Sequence, residues 1–333
     1  MTSLSLSRRR LLAWAGATSA LAAATTLPRI SFAQAFPTKA VRLVNPFAPG
    51  GSADMTARLF AAKIAQFSGA NLFVESVTGA GGTIGSDRVA KSAPDGYGLL
   101  LSNVASQGVA PSLYPRLPYD VMSDFEHIAF FGSFPNVLVV PSDSPVKTFA
   151  EFMAVAKKPG AMLNFGSAGN GTTTHLTSEL FKARMGIAAQ NIPFKGSGPA
   201  MIALLGGQTN FMFENLTGAL PHIQSGKLRA LAMTGAKRAQ LLPNVPTMQE
   251  VGVSDFVIGS WYGLSAPAKT PASVVDYFSK ATTAALNDPA TQKQMAEAGI
   301  EATAMTPAQY RSFVDAEIKR WNHIVKVSGA KLD

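Results

Sequence analysis

Two segments of this 333-residue chain combine glycines with small hydroxylated residues, as a turn built to hold an anion would. The first is Phe47-Ala48-Pro49-Gly50-Gly51-Ser52-Ala53-Asp54, which closes a β-rich run just before a helical pattern. The second is Ser167-Ala168-Gly169-Asn170-Gly171-Thr172-Thr173, placed the same way between a later strand and helix. Glycine lets the backbone turn tightly and brings peptide N–H groups close to a solute. The positive end of the helix dipole then favours negative charge at the turn. Ser52 can cap its helix or donate to a solute, and Asp54 suits the first turn. A single turn of this kind serves equally well as a cap that binds nothing. Two of them, each opening a helix in a different half of the chain, suit convergence on one carboxylate.

Three more candidates stand at strand ends. Asn103 closes the run 98–103, Lys195 lies in Phe194-Lys195-Gly196-Ser197-Gly198-Pro199, and Glu214 lies in Phe211-Met212-Phe213-Glu214-Asn215. Lys195 could meet an anion, although a solvated turn lysine is commoner. Glu214 could accept from a ligand amine or hydroxyl, or simply brace a loop. His175 reads equally as a structural first-turn histidine or a ligand contact.

Enzymatic readings find little support. A third glycine turn, Thr78-Gly79-Ala80-Gly81-Gly82-Thr83-Ile84-Gly85, lacks the GxGxxG spacing of a dinucleotide fingerprint, and Asp95 sits in a Pro-Asp-Gly turn rather than at a strand end. The four histidines, His127, His175, His222 and His323, show no paired-ligand spacing. No GxSxG elbow and no phosphate-loop lysine occur. The expectation is a binding protein without catalysis, metal or cofactor.

The elements that must position these residues alternate. Strands are expected at 41–47, 71–77, 98–103, 136–141, 163–167, 191–195, 210–214 and 228–234, with helical patterns at 53–67, 174–185 and 200–205 between them. Such alternation predicts an α/β fold with largely parallel sheets. The end differs: 272–287, 289–298 and 307–327 are helical, each opened near a proline. Crossovers are expected at 139–145 and 258–264, making lobe one 36–140 plus 260–333 and lobe two 141–259. The cleft between such lobes is the natural ligand site. Trp261 is expected to pack in the hinge rather than line the cleft.

At 47% hydrophobic and 15% charged residues, the chain can bury real cores. With no cysteine it has no disulfide, thiolate site or lipidated N-terminal cysteine. Residues 1–35 read as an export signal: Ser7-Arg8-Arg9-Arg10-Leu11-Leu12 is a twin-arginine pattern, an Ala-rich apolar stretch follows, and Ala33-Gln34-Ala35 offers a cleavage site. Removing them takes away four arginines and no acid, leaving 25 of the 29 basic residues against 20 acidic ones. That modest positive balance suits an anionic solute and lacks the basic clusters of a nucleic-acid binder. The expected location is the periplasm.

Further motifs extend along the chain: Gly79-Ala80-Gly81-Gly82, Ala93-Pro94-Asp95-Gly96-Tyr97, Pro111-Ser112-Leu113-Tyr114, Lys195 to Ala200, Leu220-Pro221-His222-Ile223, Gly226 to Leu231 and Val245-Pro246-Thr247. Together with the two anion turns, they make residues 36–333 resemble the periplasmic solute-binding proteins of tripartite tricarboxylate transporters, the Bug-type receptors. The resemblance implies a two-lobed Venus-flytrap receptor, each lobe a mostly parallel sheet flanked by helices. The loops at 47–54 and 167–173 would pinch one ligand carboxylate through backbone amides and water. The implied partners are a small carboxylate and either membrane permease subunits or a sensor protein, with the receptor itself a monomer. Two departures stand out. Glu75-Ser76-Val77-Thr78-Gly79 lacks a proline usual before the glycine turn, and Glu214 stands where many similar proteins carry aspartate.

Overall fold

Val41–Asn45 (β1) buries Val41, Leu43 and Val44 and delivers the chain into the first glycine turn. Ser52–Ser68 (α1) follows, laying Ala53, Ala57, Phe60, Ala61 and Ile64 into the core and ending at Gly69 with φ +76°. The computed structural model describes residues 36–330, so the expected export signal at 1–35 lies outside the described residues. From Lys39 onward the chain forms one compact unit.

The next elements are Leu72–Ser76 (β2), Thr83–Ala90 (α2), Gly98–Asn103 (β3), a π-turn at Ala105–Val109, and Ala110–Leu113 (α3). Then come Phe125–Pro141 (β4), Phe149–Ala156 (α4), Leu163–Ser167 (β5), Thr173–Met185 (α5), Ala189–Pro193 (β6) and Ser197–Leu205 (α6). Met212–Asn215 (β7), Leu216–Gln224 (α7), Leu228–Met233 (β8) and Gly259–Pro267 (β9) lead to Ala272–Asn287 (α8), Pro289–Glu297 (α9), Glu301–Ala302 (β10) and Pro307–Ser328 (α10). Among the described residues, no helix is long and apolar enough to cross a membrane.

The α/β class holds, with parallel ladders at β2-β1-β3 and β5-β6 and parallel bridges at Phe165–Phe211 and Met233–Thr247. Around β4 and β9 the pairing is antiparallel. The strand β4 explains why. Residues 125–135 pair with β9, and residues 136–141 continue the same strand but pair with β7 and β8. One strand of 17 residues thus belongs to two groups of strands, and β5-β6 join the second group through a bridge between Phe165 and Phe211. Its first half escapes sequence reading because helices and neighbouring strands cover both faces. Burial is then nearly continuous and the period of two is lost. The second expected crossover, 258–264, falls at the start of a strand: Gly259–Pro267 (β9) lies between β3 and β4, with Tyr262 opposite Asn103.

Helix α10 fastens this centre. Trp261 of β9 is 2% exposed and packs on Phe313 with ring centroids 5.4 Å apart, as expected of a packing residue. Its indole N–H donates to Glu317 Oε2 at 3.0 Å, and Trp321 donates to the same oxygen at 2.9 Å. Arg320 holds the other oxygen at 3.0 Å. A buried carboxylate with three donors is satisfied, and removing it strands two indole N–H groups. Glu317→Ala should therefore lower the unfolding free energy by about 3 kcal/mol, read as the shift of the urea unfolding midpoint.

Candidate functional site

Ser52 is the meeting point of the site. Its backbone N–H donates to Ser197 Oγ at 3.2 Å, and its hydroxyl lies 3.4 Å from the same atom and 3.2 Å from Tyr262 OH. Asn215 Nδ2 donates to Ser52 Oγ at 2.9 Å, while Asn215 Oδ1 accepts from Thr173 Oγ1 at 3.4 Å. One buried polar network therefore joins the first turns of α1, α5 and α6 to the ends of β7 and to β9. The first-turn amides of a helix have no acceptor inside that helix. Three such turns face a cavity of about 20 Å³, which is room for one water-sized group. Its wall includes Ser52 and Ala53 from α1, Thr172 to Thr174 from α5, Ser197 from α6, and Asn103, Asn215, Ser260 and Tyr262. All the polar lining groups are neutral hydroxyls and amides. Helix ends without a lining cation make an environment positive in potential and neutral in formal charge, which suits an anion.

Each turn is held by its own sequence. Gly50 N–H donates to Asp54 Oδ2 at 3.1 Å, and Arg58 pairs with that carboxylate at 3.0 Å. In the second turn, the Thr172 hydroxyl caps α5, donates to Gly169 O at 2.7 Å and meets Thr174 Oγ1 at 2.9 Å. His175 is buried, and its Nδ1 accepts from Gly171 N–H at 3.2 Å. It is a brace and lines neither cavity. Gly51 packs against Gly198: a Cβ on Gly51 would stand 2.8 Å from the Gly198 nitrogen. Gly169 has φ +121°, and a Cβ there would meet Phe194 O at 3.0 Å. Both positions exclude a side chain.

A second, wider cavity of about 340 Å³ shares Phe47 and Ala168 with the first and opens outward. Gly79 to Gly82 and Tyr114 form one side of it, and Gly169, Asn170 and Pro193 to Lys195 the other. The glycine turn rejected as a dinucleotide site thus becomes a cavity wall. Ala48 N–H donates to Lys195 O at 2.9 Å beside it, tying the two sides together.

Of the expected ligand residues, Phe47, Ser52, Asn103, Ala168, Thr172 and Thr173 line the inner cavity, and Phe47, Ala168, Gly169, Asn170 and Lys195 the outer one. Ala48, Pro49, Gly50, Gly51, Asp54, Ser167, Gly171 and Glu214 line neither and lie in or behind the turns. Asn103 is on the wall, but its amide is committed to Ser106 and Leu101 O. Sequence reading missed Ser197, Asn215, Ser260 and Tyr262. Ser197 and Asn215 stood beside residues already singled out, whereas Ser260 and Tyr262 gave no local signal.

A serine–histidine contact does exist, with Ser265 Oγ 3.3 Å from His127 Nδ1. Ser265 is wholly buried, His127 is 3% exposed, and burial pushes the imidazole down to about 4. Neither lines the inner or the outer cavity. Among the described residues, no cluster of acids and histidines could hold a metal.

Residues 56–330 match the tripartite tricarboxylate transporter family receptor. Protein BugT of Bordetella pertussis is 38% identical over 301 residues, covering 90% of this chain and 92% of that protein. The chain belongs to this receptor family. Two solved relatives share the receptor's fold. An R. palustris protein solved with adipate is 32% identical, with a TM-score of 0.85 over 89% of this chain and all of that one. MatC from Rhodopseudomonas palustris, solved with bound malate, is also 32% identical, with a TM-score of 0.80 over 87% of this chain and all of that one. The receptor is thus a solute-binding protein of the periplasmic-binding-protein fold.

The Ser52 network generates a stability prediction. In Ser52→Ala, Asn215 and Tyr262 lose a buried partner, and the protein should lose about 2 kcal/mol, seen as a melting point lowered by several degrees in calorimetry.

Proposed function

We propose that this receptor captures a small carboxylate in the periplasm by closing two glycine turns on it, then presents it to the membrane subunits of a tripartite transporter, with no catalytic step. The convergence of three helix N-termini on one cavity walled by neutral donors carries this reading. The ligand carboxylate enters between Ser52–Ala53 and Thr172–Thr174. The remainder of the solute extends into the outer cavity toward Asn170, Tyr114 and Lys195. The solved relatives with adipate and malate support a carboxylate of this size. The lobes are 36–140 plus 260–333 and 141–259, hinged where β4 changes partners and where β9 begins. Export follows the twin-arginine route, with cleavage after Ala35.

A thermal-shift panel of malate, adipate, citrate, glutamate, benzoate and nicotinate tests the reading. A true ligand at about 100 times its dissociation constant adds roughly 2.7 kcal/mol, whereas neutral amide analogues should add nothing. No stabilisation by any carboxylate would sink it.

Two substitutions locate the pinch. Gly51→Leu or Gly169→Leu should weaken binding more than tenfold, at least about 1.4 kcal/mol, because each side chain would push the turns apart. His175→Asn should change affinity much less. Calorimetric titration with the panel's best anion compares the three variants.

A further inference from the structure

Glu214 is fully buried, and neither of its carboxyl oxygens makes a hydrogen bond of good geometry, although the Ser197 hydroxyl and the Asn215 backbone N–H lie nearby. A buried carboxyl in that condition is rare and costly when charged. Its place is specific. Glu214 precedes Asn215, which lines the inner cavity, and its carboxyl rests against the first turn of α7. A Cβ on Gly218 would stand 2.5 Å from Glu214 Oε1 and 3.4 Å from Ser52 Cβ, so the carboxyl and the network's meeting point share one glycine between them. The side chain therefore sits just behind the wall that meets the bound anion.

Ionisable neighbours do not neutralise it. The paired stretch of β4, residues 136–139, carries no ionisable side chain, nor do β5 and α6. Helix α1 carries Asp54, Arg58 and Lys63, of which Asp54 and Arg58 pair with each other. On α5, Glu179 pairs with Lys182, Arg184 bonds the carbonyls of Ser254 and Asp255, and His175 braces the glycine turn. Helix α7 carries His222. Tyr262 of β9 is the group that interacts with Glu214 electrostatically, and burial, reinforced by Glu214, pushes its phenol up and keeps it neutral.

We infer that Glu214 carries a proton in the closed receptor, so that capture of a carboxylate weakens as pH rises and takes up a proton wherever the unloaded receptor has lost it. This rests on the carboxylate reading of the inner cavity. The physical reason is that two negative charges on either side of a thin, dry wall repel strongly, whereas a neutral carboxyl tolerates the anion. Burial already pushes Glu214 up to about 8, against a smaller downward pull from the Ser197 hydroxyl and the Asn215 backbone. A nearby anion moves it further the same way. The group thus binds its proton more tightly in the closed, loaded state. Affinity is complete at low pH and is lost as pH rises above the value in the unloaded receptor. The proton comes from solvent and returns there on release.

Infrared difference spectroscopy on the purified protein tests the proton directly. At pH 7 the wild type should show a protonated-carboxyl C=O band that titrates away near pH 8 or above and is missing in Glu214→Gln. Calorimetric titration with malate, adipate and citrate at pH 7 and pH 9, each in two buffers, tests the coupling. Malate and adipate are fully ionised across that range, so a proton taken up with either binds to the protein. Wild-type affinity should fall about tenfold from pH 7 to pH 9, with about one proton taken up per anion bound at pH 9 and little at pH 7, where Glu214 already carries its proton, while Glu214→Gln should hold its affinity to within about threefold. A missing band with binding intact, or an equal loss in Glu214→Gln, overturns the inference alone. Failure of all three anions to bind overturns the carboxylate reading, and the coupling with it.

Discussion

Burying the starts of three helices against one another is the constraint around which this receptor is arranged. Each first turn presents amides without helical acceptors, and backbone donors in a dry interior must find partners. The chain meets the demand partly with its own side chains. Ser197 accepts from the Ser52 amide and Thr172 from the His175 amide. Residues of the same three turns, Ser52 and Ala53, Thr172 to Thr174 and Ser197, line the inner cavity. The preference for negative charge proposed for this site thus rests on backbone geometry, since no cation lines the inner cavity.

That geometry depends on a shared support. β4 carries β9 along one half and β7 and β8 along the other, so residues from both groups of strands are referred to one strand. Tyr262 comes from β9, Asn215 from β7, and both reach Ser52. The aromatic packing around Trp261, with Glu317 beneath it, fixes the β9 end of this arrangement. Small displacements along β4 would therefore be felt at the Ser52 network.

The buried ionisable groups divide by environment. Glu317 has three donors and serves the core. His127 is held neutral among β4 and β9 and contacts Ser265 out of reach of either cavity. Glu214 has no such satisfaction, and it lies beside the ligand wall. Of the three, only Glu214 lies beside the inner cavity.

Local sequence determined a good deal. The two glycine turns, their helices and most strand positions follow from short-range patterns: β3 at 98–103, β5 at 163–167 and α8 at 272–287 were legible to the residue. These features are encoded by neighbours within a turn or two. Tertiary structure decided the rest. The first half of β4 shows no alternation because both its faces are covered, and β9 is defined by its pairing with β3 and β4, strands far from it in the chain. Tyr262 and Ser260 enter the site, and Gly51 and Gly171 stay behind it, through contacts between residues far apart in the chain. A pattern along the chain records which face a residue turns inward. Which atoms it meets there depends on distances that only the folded chain sets.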